Sequence, residues 1–343
     1  MEKVRVAVIG AGIVGLSTAV CVAESIPNCS VTVIAEKFSP NTTSDLAAGV
    51  LSPHFSPETP IYRQRRWFED TFAHVYSIAQ SEDAPDVGVQ FLSGWEFFEK
   101  PPKERMPFWS DITLAFRFMN ESELKRFPGA RFGWTYTTLQ CESNRYLNWL
   151  EKRLMKAEGQ LQEGKVMDLW ELDGKYDIVV NCTGMGARAL TGDMQIYPVR
   201  GQVHKVHAPW LKHFVRTDIN NMYIYPGINS VTLGGTRQRD DWRLSIDPSD
   251  SKAILEKCCV YEPSLKLCRK LSEGVGLRPT RDVLRLEKEK LERDGRHMLV
   301  VHNYGHGPAG VGFHWGTAKE AAQLVKEVLP EVRHRPRYTA SKL

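Results

Sequence analysis

The chain opens on VRVAVI (residues 4–9), which runs without a break into GAGIVG (residues 10–15). A β-branched apolar run that ends in closely spaced glycines and continues into an Ala-, Ser- and Val-rich stretch predicts strand, tight turn and helix. Each glycine has a mechanical reason: Gly10 turns the chain, Gly12 lets backbone approach a pyrophosphate, and Gly15 lets the helix lie close on the strand. With Ala11, Ile13 and Val14 they form a candidate phosphate cradle at the positive end of that helix. A second apolar run, SVTVIA (residues 30–35), leads to Glu36, 21 residues beyond Gly15, where a carboxylate can accept from a ribose hydroxyl; Lys37 stands beside it. The segments together predict a βαβ unit that binds a dinucleotide.

The rest of the chain returns to this unit twice. Residues 54–138 change character, with helical spacing in RRWFEDTFAHVYSIA, a strand in LSGWEFFEK and polar loops around Pro101, Pro102 and Pro107. A helix from Asn144 then leads to YDIVVNCTG, a buried strand ending in a glycine turn at Thr183 and Gly184. Residues 198–285 are dominated by alternating strands, and HMLVVHNYGHGPAGVGFHWG begins a third return, with Gly307, Gly310, Val311 and Gly312 opening a long C-terminal helix. The expected fold class is α/β. A discontinuous Rossmann-like domain (1–53, 139–197 and 295–333) is joined to a second, α+β domain (54–138 and 198–294) on a large mixed or antiparallel sheet, with a tail at 334–343. Several glycine turns converging on one ligand suit a long buried flavin better than an exchangeable nicotinamide, and a helix start at Gly310 could stabilise negative charge on a reduced ring.

Composition closes off other classes. The 45 basic and 41 acidic residues are interspersed, and the two basic clusters lack alternating aromatics, so nucleic acid is not an expected partner. Seven cysteines without paired spacing point to a reducing compartment. GQLQEGKV (159–166) imitates an NTPase phosphate loop, but Val166 cannot ligate magnesium, and a loop with a solvated Lys165 is expected instead. His302 and His306 do not share a helix face, so no metal site is expected. The final residues Ser341, Lys342 and Leu343 spell an address read by a peroxisomal import receptor, and the peroxisomal matrix is the expected location.

Three arginines raise a question of charge. Arg237 interrupts the strand-like TLGGTRQ, Arg278 lies between a glycine-rich strand and a proline, and Arg216 precedes an Asn- and Asp-rich loop. Each could be a surface ion pair. If Arg237 and Arg278 both point inward, something negative must meet each, because a buried unpaired guanidinium costs several kcal/mol.

GAGIVGLS, TTSDLAAGVLSPH, NCTG, PVRGQ, YIYPG, VTLGGTRQ, GLRP, HNYGHG and HWGTA, spread over nearly the whole chain, are similar to the matching stretches of the D-amino-acid oxidases. The chain resembles that family, and within it the branch that handles acidic substrates. The resemblance implies noncovalent FAD, with Thr42, Thr43 and Ser44 on the nucleotide, Ala48, Gly49 and Val50 against the flavin, and Val166 near the adenine. It implies that Arg278 and Tyr223 clamp the substrate α-carboxylate and serve as the catalytic pair, and that Arg237, assisted by Arg216, receives a second carboxylate. His54 is expected to be pocket wall rather than a base, and Pro308 departs from the pattern by supplying no amide donor. The implied reaction is oxidative deamination of an acidic D-amino acid by dioxygen to 2-oxo acid, ammonia and hydrogen peroxide. An oxidase for neutral D-amino acids, a nicotinamide-dependent dehydrogenase and a non-catalytic flavin-binding protein stay open as alternatives.

Overall fold

In a computed structural model of the chain, residues 3–333 apart from 53, 55 and 57 are described. The expected import signal Ser341-Lys342-Leu343 and the tail lie outside the described residues. The strands are β1 (Val4–Ile9), β2 (Cys29–Ala35), β3 (Val89–Phe98), β4 (Leu114–Phe118), β5 (Phe132–Cys141), β6 (Gln160–Glu163) and β7 (Ile178–Asn181). They continue with β8 (Tyr197–His207), β9 (Phe214–Thr217), β10 (Met222–Pro226), β11 (Val231–Gly234), β12 (Gln238–Arg239), β13 (Arg269–Arg293) and β14 (Arg296–His306).

All of them join one mixed sheet in the order β4-β5-β3-β9-β10-β11-β8-β13-β14-β7-β1-β2-β6, with β12 paired to β8. On one side β14, β7, β1, β2 and β6 run parallel, and their β-branched residues are buried on both faces, as parallel strands covered by helices must be. The other side is antiparallel apart from β3 against β9. The 25-residue β13 joins the two: residues 269–280 pair with β8 and residues 285–293 pair with β14, with a register shift between Thr280 and Arg285. The interrupted α/β class expected from the glycine turns is thus present. The phosphate-loop imitation is partly strand, since residues 160–163 form the parallel edge strand β6, with Gly159 before it and residues 164–166 after it in loop.

Helices Ile13–Ser25 and Gly310–Arg333 cover the parallel half. Helix Ile61–Ala79, which begins the second region in sequence, docks on the C-terminal helix: Trp67 and Phe313 rings lie 5.9 Å apart and the Gly316 amide donates to Thr71 Oγ1 at 3.0 Å. Trp67, Phe68 and Val75 are fully buried there, each contributing roughly 1.5–3 kcal/mol relative to exposure. A Cβ on Gly316 would lie 2.3 Å from the Trp67 carbonyl oxygen, so the glycine sets the distance between the two helices.

Candidate active site

The carboxyl ends of β1, β2, β7 and β14 open on a cavity of about 980 Å³, whose opposite wall is the antiparallel half of the sheet. Gly10 takes a φ of +107°, and a Cβ there would meet the Cys182 carbonyl oxygen at 2.5 Å; a Cβ on Gly15 would meet the Gly10 oxygen at 2.0 Å. Gly12 caps the first helix without a side-chain bond, leaving its amides toward the cavity, and only the Ile13 amide is taken, by Ser44 Oγ at 3.0 Å. Asp45 closes the next turn by accepting from the Thr42 amide and hydroxyl. Gly49, at φ +77°, sits where a Cβ would strike the Cys141 carbonyl oxygen, and Gln140 donates to the Ala48 oxygen at 2.8 Å, so Ala48–Val50 is fastened to β5.

Of the residues expected to hold the nucleotide, 10–15, Glu36, Lys37, 42–44, 48–50, Val166, Thr183, Gly184, Gly307, Gly310 and Val311 all line this cavity. Gly312 does not: it is buried in the first helical turn behind Val311. Lys165 is not merely solvated, because it reaches Glu36 at 3.4 Å on the exposed rim and forms part of the wall. The start of the helix at Gly310 carries no acidic residue in its first turn, which leaves its positive end uncompensated beside the cavity. A glycine-lined cradle, two helix starts and a ribose-ready carboxylate fit FAD.

At the other end of the same cavity stand Arg216, Tyr223, Arg237, Arg278 and His54. The Arg278 guanidinium packs against Gly201, where a Cβ would lie 2.4 Å from Nη1, and it donates to the Thr236 carbonyl at 3.2 Å. The Tyr223 ring fills the space over Gly234 and Gly235, stacks on Tyr225 at 4.7 Å, and bonds to Arg278. Burial pushes its phenol up, so it stays a neutral donor. Arg237 makes no hydrogen bond or ion pair with a described residue. It is exposed as a residue, yet burial of its guanidinium, then the charges of Arg278 and Arg216, pull its pKa below the usual value.

Arg216 differs. It lies directly opposite Glu96 across β9 and β3, 3.3 Å from that buried carboxylate, which also accepts from Tyr136 at 2.9 Å. Burial opposes its charge, but Glu96 and Tyr225 more than offset this and raise its pKa. Arg216 also bonds to Ser52 Oγ and donates to His54 Nε2 at 3.2 Å. His54 is therefore the tautomer with Nδ1–H on the Ser52 carbonyl; burial, then Arg216, Arg237 and Arg278, hold it neutral well below the usual imidazole value. Its one lone pair is occupied, which removes it as a base.

A profile of the FAD dependent oxidoreductase family matches residues 5–324. The chain belongs to this family. As an FAD-dependent oxidoreductase it is 54% identical to human D-aspartate oxidase over 97% of the chain and 98% of that protein. It is 37% identical to the D-amino acid oxidase of Dugesia ryukyuensis over 95% of the chain and 98% of that protein. The fold is shared with glycine oxidase from Bacillus cereus, at a TM-score of 0.77 and 19% identity, covering 95% of each chain.

Glu96, Ser52, Gly201 and Lys165 join the site without having been expected there. A glutamate inside GWEFF was the one available signal for the first, since a charge in an apolar strand calls for a buried counter-ion.

Proposed function

We propose that the chain oxidises acidic D-amino acids, D-aspartate foremost and D-glutamate and N-methyl-D-aspartate as further candidates, with dioxygen and water, to the 2-oxo acid, ammonia or amine, and hydrogen peroxide. The observation that carries this reading is the charge of the substrate end. Arg216, Arg237 and Arg278 line one cavity with one buried carboxylate, Glu96, and since Glu96 pairs with Arg216, two guanidinium groups are left for two carboxylates.

In this reading Arg278 and Tyr223 hold the α-carboxylate and Arg237 holds the side-chain carboxylate. Bound FAD supplies the two-electron acceptor. Fixing the substrate at both ends sets its Cα in the cavity and removes rotational freedom before reaction, and this positioning is the chain's main contribution to rate. Neither His54 nor Tyr223 takes a proton from carbon: His54 is neutral with its lone pair engaged, and Tyr223 stays protonated. Oxidation at Cα then requires the substrate amine to be neutral when it reacts, so that its lone pair can form the imine. A charge-assisted pair at Arg237 is worth about 1.5–3 kcal/mol, and a neutral side chain there leaves the guanidinium unmatched, so discrimination of about a hundredfold against D-alanine follows.

The test is a peroxide assay with D-aspartate, D-glutamate and D-alanine on the wild type and on Arg237→Ala. Diacid preference in the wild type that disappears in the variant supports the reading; a wild type faster on D-alanine overturns it. Import into peroxisomes through Ser341-Lys342-Leu343 belongs to the same proposal, and loss of punctate localisation of a fluorescent fusion when the three residues are removed is its test.

A further inference from the structure

Arg200 is the largest charged side chain wholly shut off from solvent among the described residues, at 0% exposure, and it touches nothing in the cavity. It sits on β8 between Val199 and Gly201, on the sheet face covered by helix Pro248–Tyr261. A guanidinium has five N–H donors, and here all five have an acceptor. Nε reaches the Arg243 carbonyl at 3.0 Å; Nη1 reaches Gln238 Oε1 at 2.7 Å and Asp250 Oδ2 at 2.8 Å; Nη2 reaches Gln202 Oε1 at 2.8 Å and the Ser245 carbonyl at 2.7 Å. An apolar residue would fill such a site at lower desolvation cost, so a fully satisfied arginine points to geometry being fixed rather than stability gained.

What it fixes is the segment that carries Arg237. Gln238 pairs directly opposite Arg200 across β12 and β8 and is held a second time by Asp250. One residue before Arg237, Thr236 is tied to β8 through its hydroxyl, which accepts from the Gln202 amide at 2.8 Å, and its carbonyl accepts from Arg278. Gln238, the first residue of β12, is turned to the helix face, and Arg237 immediately before it lines the cavity. Arg237 itself has no partner among the described residues that would set its position. Its placement is inherited from its neighbours.

We propose that Arg200 is a positioning residue for diacid selection: through Gln238, and without touching substrate, it holds Arg237 at the distance from Arg278 that the two ends of a dicarboxylate require. This rests on the proposed use of Arg237 as the second-carboxylate receptor. Arg200→Lys keeps a charge near Asp250 but loses the fork; Gln238→Ala, at a half-buried position, removes only the link and is the variant that keeps the test open if Arg200→Lys does not fold. Purified flavoproteins are compared by steady-state oxidation of D-aspartate and D-alanine.

Both variants are expected to raise KM for D-aspartate by about tenfold while kcat, and both constants for D-alanine, stay within about twofold. In the Arg237→Ala background Gln238→Ala is expected to add nothing to the loss on D-aspartate, because its effect runs through the missing side chain. Equal losses on both substrates, or losses that multiply in the double variant, would overturn the proposal and leave Arg200 a purely structural residue. A wild type that prefers D-alanine would instead sink the reading of Arg237.

Discussion

Gly201 and Arg278 are complementary halves of one piece of packing: the missing Cβ of the first is the volume that the guanidinium of the second fills, with Nη1, Cζ and Nη2 all 2.4–2.5 Å from where that Cβ would be. The proposed α-carboxylate receptor is therefore aimed by a neighbouring strand, with no ion pair to a described residue.

Gly201→Ala is expected to displace Arg278 and lower kcat/KM by about a hundredfold, the cost of losing one charge-assisted pair, on D-alanine and D-aspartate alike. Flavin content, read from absorbance, should stay at the wild-type level. A loss confined to D-aspartate would move the α-carboxylate elsewhere.

Glu96→Gln leaves Arg216 a partly buried cation without its counter-ion. Stability is expected to fall by about 3 kcal/mol, near the lower end for a broken buried pair because Arg216 keeps its bonds to Ser52, His54 and Tyr225. Thermal unfolding should show a midpoint several degrees lower, and malonate, which brings replacement negative charge, should raise that midpoint more in the variant than in the wild type.

Arg237→Ala should act in the opposite direction on the unliganded protein. Arg237 is desolvated and repelled by Arg278 and Arg216, so its removal relieves that repulsion, and the midpoint is expected to hold or rise slightly. Malonate should stabilise the wild type and do so markedly less in the variant. A variant that gains as much from malonate as the wild type would show that the second carboxylate is bound by another group.

Four histidines supply a pH dependence. His54 is held neutral far below the usual value, His314 is pulled down to about 4, His306 to about 3 and His74 to about 2, burial being the largest cause in each. The unfolded chain takes up these protons near pH 6.5 while the folded one does not, so the stabilisation is complete above that pH and is lost as pH falls. Each group that titrates only in the unfolded chain contributes up to about 1.4 kcal/mol per pH unit. Urea midpoints measured from pH 7.5 down to 5 should decline steadily below about 6.5; a flat profile would mean that these side chains are solvated.

Much of this was legible in the sequence where a residue breaks a local rule. Glycines at 10, 12 and 15 announce a backbone that must come close to something, and an arginine inside TLGGTRQ announces a charge needing a partner. What stayed hidden depends on pairing across distance. Glu96 and Arg216 are 120 residues apart and meet because β3 and β9 share a register, which no local pattern encodes. Gly201 reads as an ordinary glycine until β13 lays Arg278 against it, and Arg200 reads as one letter of PVRGQ until five acceptors from three other segments and its own strand converge on it. The length of β13 was obscured in the same way, since its two halves face different neighbours and change register on the way.

That long strand has a mechanical consequence. Because one half of β13 pairs with β8 and the other with β14, the antiparallel and parallel halves of the sheet hang on a common spine. Residues 275–279 of that spine line the cavity, and Arg237, exposed in the same wall, sets a gatepost's charge where the cavity meets solvent.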